Sequence, residues 1–137
     1  MDLLIDEYEG TKFISPRDCG NSPKIIRLNE LNEAFFRRDW TFIEENLDVD
    51  IQWLIIGMKQ IEGKTNVRDQ LETFRNEEIT EIRIKNTITH GKVGSVNGTL
   101  IMEKGRNIDF CNMYTFSSAG NKAKMKEMTS YVIETME

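Results

Sequence analysis

Histidine, cysteine and proline are all scarce in this sequence of 137 residues. It has one histidine, two cysteines and two prolines. The cysteines, Cys19 and Cys111, lie far apart and form no C-x-x-C pair, so neither a zinc site nor a redox motif is indicated. One histidine without clustered acidic residues leaves too few ligands for a metal site. We therefore expect no metal and no other cofactor.

Long apolar runs and nucleotide-binding motifs are also missing. No apolar run approaches the roughly 20 residues of a membrane span, so we expect no contact with a membrane. The first residues lack the basic and apolar regions of a secretory signal, which favours a cytoplasmic location. The formal charge of −5 disfavours binding to nucleic acid. Neither G-x-x-x-x-G-K nor G-x-G-x-x-G occurs, so no phosphate cradle is expected.

The length is that of a single domain with one hydrophobic core. Residues 1–22 have weak periodicity and contain Gly10, Pro16 and Gly20, which predicts an irregular N-terminal leader. The domain itself is expected over residues 23–137.

Three helices are predicted in the first half of the domain. Ser22 can cap the first helix, and Pro23 suits its first position because a missing N–H costs nothing there. A capping box that begins at Thr41 predicts a short second helix. Thr65 can cap the third helix. The core-facing positions have helical spacing in the first and third helices: Leu28, Leu31 and Phe35, then Val67, Leu71 and Phe74.

Five strands are predicted in the rest of the chain. One is a buried strand over Asp50 to Gly57, and four follow after the third helix. In the first of these four, alternation places His90 on the apolar face with Ile82, Ile84 and Ile88. Gly94 and Gly98 predict a bulge or bend in the next strand. The order is ααβαββββ, which indicates an α+β domain with helices on one face of a curved antiparallel sheet.

Several segments resemble the NTF2-like superfamily, specifically its SnoaL-like and ketosteroid-isomerase-like branch, and a subgroup of small bacterial proteins within it. They are Phe35 to Trp40, Asp50 to Trp53, Gly63-Lys64, Phe110 to Tyr114 and Thr129 to Ile133, within a match over Ser22 to Glu134. The resemblance implies a cone with a pocket between sheet and helices, and a homodimer formed through the sheet. Ketosteroid isomerases, polyketide cyclases, epoxide hydrolases and binding domains share this scaffold, so the resemblance leaves the reaction open.

The candidate pocket residues are two polar side chains and two aromatic ones. Asn112 and Tyr114 share a strand face with aromatic residues, which is typical of a ligand pocket, although they could also satisfy each other in a closed core. Trp53 is either a core aromatic or a pocket wall. Tyr131 could lend its hydroxyl to the cavity or point outward into a dimer interface.

The candidate catalytic residue is His90, whose ordinary pKa would let it exchange protons near neutral pH, although it could also be a packed or capping residue. Catalytic members of the resembled family use an aspartate base, whereas position 112 here is an amide that cannot accept a proton. Asp50 and Asp109 are weaker candidates. We therefore expect a module that binds a small, mostly apolar molecule. The alternative is an isomerase, cyclase or hydrolase that uses His90 or a pocket carboxylate, and a purely protein-binding role ranks last.

Overall fold

The computed structural model describes residues 3–16 and 22–136, so Cys19 lies outside the described residues. Their secondary structure, in chain order, is β1 (Leu3–Tyr8), β2 (Thr11–Pro16), α1 (Pro23–Arg37), α2 (Trp40–Glu45), β3 (Leu47–Ile55), β4 (Lys59–Glu62), α3 (Lys64–Arg75), β5 (Ile79–His90), β6 (Val93–Met102), β7 (Arg106–Phe116) and β8 (Met125–Met136). The α+β architecture expected from the sequence is confirmed.

The first two strands correct the prediction of an irregular leader. Leu3–Tyr8 and Thr11–Pro16 pair as an antiparallel hairpin. Its turn is Glu9-Gly10, and both residues have positive φ, 49° and 85°, as the tightest hairpin turns require. Asn or Asp is the usual residue before Gly in such a turn, and a Glu there is a weak signal. The hairpin was therefore not recognisable from composition.

The strands form one eight-stranded sheet in the order β1-β2-β5-β6-β7-β8-β3-β4. The prediction of a purely antiparallel sheet is wrong at two places, because β2 pairs parallel with β5 and β3 pairs parallel with β8. The remaining neighbours are antiparallel. The short strand β4 is not among the predicted strands, and it extends the sheet beyond β3.

The N-terminal cap predicted from the sequence is correct for α1 and wrong for α2 and α3. Ser22 accepts the backbone N–H of Ile25, as predicted for the cap of α1. Asp39, and not Thr41, caps α2 through the N–H of Phe42. α3 follows Gly63 and has no side-chain cap. None of the helices described is long and apolar enough to cross a membrane.

Two arginines join the C-terminal ends of α1 and α3. The side chain of Arg75, on the last residue of α3, is buried and donates from Nε and Nη2 to the carbonyl oxygen of Phe36 at 3.1 and 2.9 Å. In return Arg38, which follows α1, donates to the side-chain oxygen of Asn76 beyond α3. A cation at a helix C-terminus is favoured by the unpaired carbonyls and the helix dipole. The C-terminal end of each helix therefore contacts an arginine from the end of the other.

A bulge in β5 bends the sheet and reverses the predicted face of its second half. The register shifts between Ile84 and Asn86, opposite Gly98. A Cβ on Gly98 would lie 2.0 Å from the carbonyl oxygen of Arg83, so only glycine fits there. The extra residue turns Ile88 outward, where it is 64% exposed, and His90 is exposed as well. The prediction that His90 lies on the apolar face is wrong for this reason.

Gly94 marks no bulge in its strand, but it lets α1 approach the sheet. No register shift occurs at this residue. A Cβ there would meet Leu28 Cδ1 of α1 at 2.6 Å, and Leu28 is fully buried. The missing side chain therefore provides the space into which the helix packs.

Replacement of Gly98 by alanine tests the role of the bulge. We expect Gly98→Ala to lower the free energy of unfolding by about 1–3 kcal/mol, because its Cβ would force the backbone at Arg83 to move. The measurement is urea denaturation followed by circular dichroism. Gly120→Ala is the control, since its Cβ would meet only the end of a side chain, Ser118 Oγ, at a tight 3.3 Å that a small movement of this hydroxyl relieves. Equal losses in the two variants would contradict this interpretation of the bulge.

Candidate functional site

A cavity of about 380 Å³ lies between the concave face of the sheet and the helices. Its walls are mainly aliphatic and aromatic. The helical wall consists of Leu31, Asn32, Phe35 and Ile43 from α1 and α2, and Leu71 and Phe74 from α3. Trp53 supports this wall, because its ring packs edge-on against that of Phe74 at 5.8 Å. This volume is within the range of small-molecule pockets.

The cavity is closed at one end and open at the other. Tyr114 and Met128 are paired neighbours on β7 and β8, and both are only 6% exposed. Exposure then rises along the same two strands toward the pair Ile108 and Glu134. These two levels are six residues apart on β7, about 20 Å along the strand. We call the level of Tyr114 the floor and the level of Glu134 the mouth.

A chain of hydrogen bonds crosses the wall of the cavity next to the floor. Trp53 Nε1 donates to Ser130 Oγ at 2.8 Å, and Ser130 Oγ donates to Asn112 Oδ1 at 2.7 Å. Asn112 Nδ2 donates to Tyr114 OH at 3.2 Å. Each polar group therefore has a partner although it lies in an apolar wall, which offsets the cost of its burial.

Tyr114, at the end of this series of hydrogen bonds, has a hydroxyl donor that remains available. The Tyr114 hydroxyl accepts from Asn112, and its own proton has no acceptor among the residues described. Burial raises the pKa of Tyr114 to about 12, so the phenol is neutral at physiological pH. A neutral buried phenol is a hydrogen-bond donor and cannot act as a base. The floor can therefore donate a hydrogen bond to a ligand oxygen.

The mouth carries the charged side chains of the cavity wall. Those that line the cavity in residues 3–16 and 22–136 are Glu77, Arg106 and Glu134. Arg106 Nε donates to Glu134 Oε1 at 2.6 Å, and its Nη2 contacts the same oxygen. Glu77 is exposed in the connection between α3 and β5.

The structure brings together three of the five residues proposed from the sequence. Trp53, Asn112 and Tyr114 all line the cavity. Tyr131 does not, because it alternates with buried Ser130 and points to the outer face of the sheet, where it is 50% exposed. His90 also lies outside the cavity wall, at the exposed end of β5. Its candidacy as a catalytic residue thus has no support from its position.

The weaker acidic candidates are also remote from the cavity. Asp50 is exposed at the surface, and Asp109 accepts a hydrogen bond from Thr99 Oγ1 at 2.6 Å on the outer face of the sheet. Sequence reasoning missed Ser130 and the three charged residues of the mouth. Ser130 has a weak signal, since both faces of β8 carry apolar residues and period two does not say which face is inside. No group of three potential metal ligands occurs in the part of the chain that is described.

Comparison with solved structures decides the fold. An NTF2-like protein of unknown function from Burkholderia xenovorans superposes with a TM-score of 0.68 over 86% of this chain and 90% of that chain, at 17% identity. The protein has the NTF2-like fold. No family model and no curated protein matches the sequence. At such identities the likeness concerns the NTF2-like fold alone.

Other matching structures have names that refer to reactions. A candidate SnoaL-like polyketide cyclase from Shewanella denitrificans matches with a TM-score of 0.65 at 12% identity, over 82% of this chain and 92% of that chain. An LEH-like epoxide hydrolase from M. tuberculosis matches with 0.61 at 16% identity, over 81% of this chain and 83% of that chain. The NTF2-like fold thus occurs with different named activities, and the residues of the cavity must decide the function.

The buried phenol predicts a loss of stability in alkaline solution. The pKa of Tyr114 is raised from the ordinary value of 10.0 to about 12. Above pH 10 the unfolded chain therefore loses a proton that the folded chain retains, and the free energy of unfolding falls by about 2 kcal/mol through pH 12. Urea denaturation at increasing pH, with a tyrosinate absorbance titration, measures this.

In Tyr114→Phe, the free energy of unfolding should not show this fall between pH 10 and pH 12. Tyr131→Phe is the matched control, because Tyr131 is half-exposed on the other face of the sheet. The assignment would be refuted by identical pH profiles for wild type and Tyr114→Phe.

Proposed function

We propose that this protein binds a small, mostly apolar molecule in the cavity and donates a hydrogen bond from Tyr114 to an oxygen of that molecule. The observation that carries the proposal is the floor, where a buried phenol with a free proton faces an apolar space of about 380 Å³. Apolar walls give affinity through burial, and one placed polar group gives orientation. The location in the cytoplasm expected from the sequence remains part of this proposal.

The enzymatic alternative has less support. The carboxylates of the cavity wall, Glu77 and Glu134, belong to the mouth, about 20 Å along the strand from the floor for Glu134. Ser130 is no nucleophile candidate either, because its proton is given to the amide oxygen of Asn112, which cannot accept it as a base does. Tyr114 could stabilise negative charge on an oxygen, but a proton-transfer reaction also needs a base within hydrogen-bond reach.

We also propose that two copies associate through the outer face of the sheet. The side chains that alternate with the cavity wall there include exposed apolar ones: Leu54 (42%), Met113 (38%), Tyr131 (50%) and Ile133 (67%). They are on the adjacent strands β3, β8 and β7. Contiguous exposed apolar surface is typical of an interface, and a twofold dimer would cover the same patch on both copies.

Ligand binding is tested with acetylnaphthalene and naphthalene, which share an aromatic body and differ in one carbonyl group. We expect acetylnaphthalene to raise the melting temperature, and Tyr114→Phe to weaken its binding by about 2- to 10-fold, the effect of one hydrogen bond. Binding of naphthalene should be unchanged in Tyr114→Phe. Differential scanning fluorimetry and isothermal titration calorimetry give the two readouts.

Two further variants locate the binding site. Leu71→Trp should fill the space beside the helical wall and weaken both compounds. His90→Ala is the control outside the cavity and should change neither. If Leu71→Trp and Tyr114→Phe bind both compounds as wild type does, the cavity is not the binding site.

Dimerisation is tested by placing a charge on the outer face. We expect Ile133→Glu to convert the dimer to a monomer in sedimentation equilibrium, because the charge would be buried between the copies without a partner. Ile26→Glu is the control, since Ile26 is 47% exposed on α1. A wild-type protein that sediments as a monomer at every concentration would overturn the dimer proposal.

A further inference from the structure

The charges at the mouth of the cavity do not balance. Two carboxylates, from Glu77 and Glu134, and one guanidinium, from Arg106, line this end. Arg106 is engaged with Glu134 through Nε and Nη2. Glu77 has no ion-pair partner among the residues described. The mouth therefore keeps the charge of one carboxylate.

Glu77 has neighbours of both signs, but the two guanidiniums beside it, those of Arg75 and Arg38, are engaged with a backbone carbonyl and with another carboxylate. Glu78 follows Glu77, and a hydrogen bond and charge repulsion from Glu103 raise the pKa of the Glu78 carboxyl, which shows that carboxylates are crowded here. The whole chain has a formal charge of −5. A cleft with apolar walls concentrates such a potential at its opening. A positively charged group is thus attracted to the mouth and a negatively charged one is repelled.

We propose that the ligand is a cationic amphiphile, with an apolar body inside the cavity and an ammonium group held at the mouth by Glu77. This inference rests on the proposed binding function and adds the charge and orientation of the ligand. The ammonium head remains partly hydrated, because Glu77 is exposed. The apolar body extends toward Tyr114, whose proton can bind an oxygen at the far end of the molecule.

An anionic head is the competing possibility, since Arg106 also lines the cavity. A carboxylate would have to displace Glu134 from the guanidinium, or share that guanidinium with it. It would also meet the unpaired charge of Glu77. Both contributions are repulsive, whereas an ammonium group leaves the ion pair of Arg106 and Glu134 intact. The observed pairing therefore favours the cation.

Octylamine, octanol and octanoate share one alkyl chain and differ in the charge of the head, so they isolate this effect. Their affinities can be measured by displacement of the neutral fluorescent probe N-phenyl-1-naphthylamine from the cavity. We expect octylamine to bind about 3- to 5-fold more tightly than octanol, as for a partly exposed ion pair, and octanoate to bind most weakly. Added salt should reduce these differences, because exposed charges are screened.

Three variants assign the preference to named side chains. Glu77→Gln should remove the advantage of octylamine and leave octanol unchanged. Glu134→Gln should free Arg106 and raise the affinity for octanoate. Glu30→Gln removes the same charge from an exposed position on α1 and should alter nothing, which separates a local effect from that of net charge.

The outcomes distinguish the two proposals. If octanol displaces the probe and the charge of the head makes no difference, or if octanoate binds most tightly, the cationic ligand is refuted and the binding function stands. If Glu30→Gln acts as strongly as Glu77→Gln, the mouth does not select the charge and the inference again fails. If neither the probe nor any of the three compounds binds, the proposed function is refuted as well.

Discussion

The hydrogen bonds from Arg75 to the carbonyl oxygen of Phe36 hold together α1 and α3, two of the three helices that cover the cavity. The guanidinium is buried, and burial, followed by repulsion from Arg38, lowers its pKa. Removing a charge from water is costly, so its donors must find acceptors. The unpaired carbonyls at the end of α1 supply them. The separation of α1 and α3, and with it the width of the cavity, therefore depends on a cation whose partner is the backbone.

The sequence determines those parts of the fold in which one local signal has one structural meaning. Ser22 and Pro23 predict the start of α1, and the structure has the same cap and the same first residue. Asn112 and Tyr114 were assigned to one face of β7 by simple alternation, and both line the cavity. Gly98 predicted a bulge or bend in its own strand, but the extra residue lies near Lys85 on the neighbouring strand β5, where the sequence has no signal for it. Local alternation could not foresee the reversal of face that this extra residue imposes.

The candidate site could be predicted from the sequence to a similar extent. Its floor was predicted where polar residues interrupt an aromatic strand, whereas Tyr131 was misplaced because both faces of β8 are apolar: one covers the cavity, and the other carries exposed Tyr131 and Ile133. The charged residues of the mouth were not predicted, for a different reason. Glu77, Arg106 and Glu134 come from three distant segments, and an isolated charged residue at the end of a helix or strand is normally a solvated surface residue. Only the pairing of the strands brings the three to one opening.

The parallel pairing of β3 with β8 has a consequence for the synthesis of the chain. Trp53 and Ser130, which are hydrogen-bonded, are 77 positions apart. β3 is made early, yet its neighbour on the inner side of the sheet, β8, is the last of the eight described strands to be made. Until then the apolar side chains of β3 and one row of its backbone groups are unpaired, a state that favours aggregation. Folding of this domain must therefore wait for its C-terminal strand, and slow closure of such distant contacts is the expected rate-limiting event.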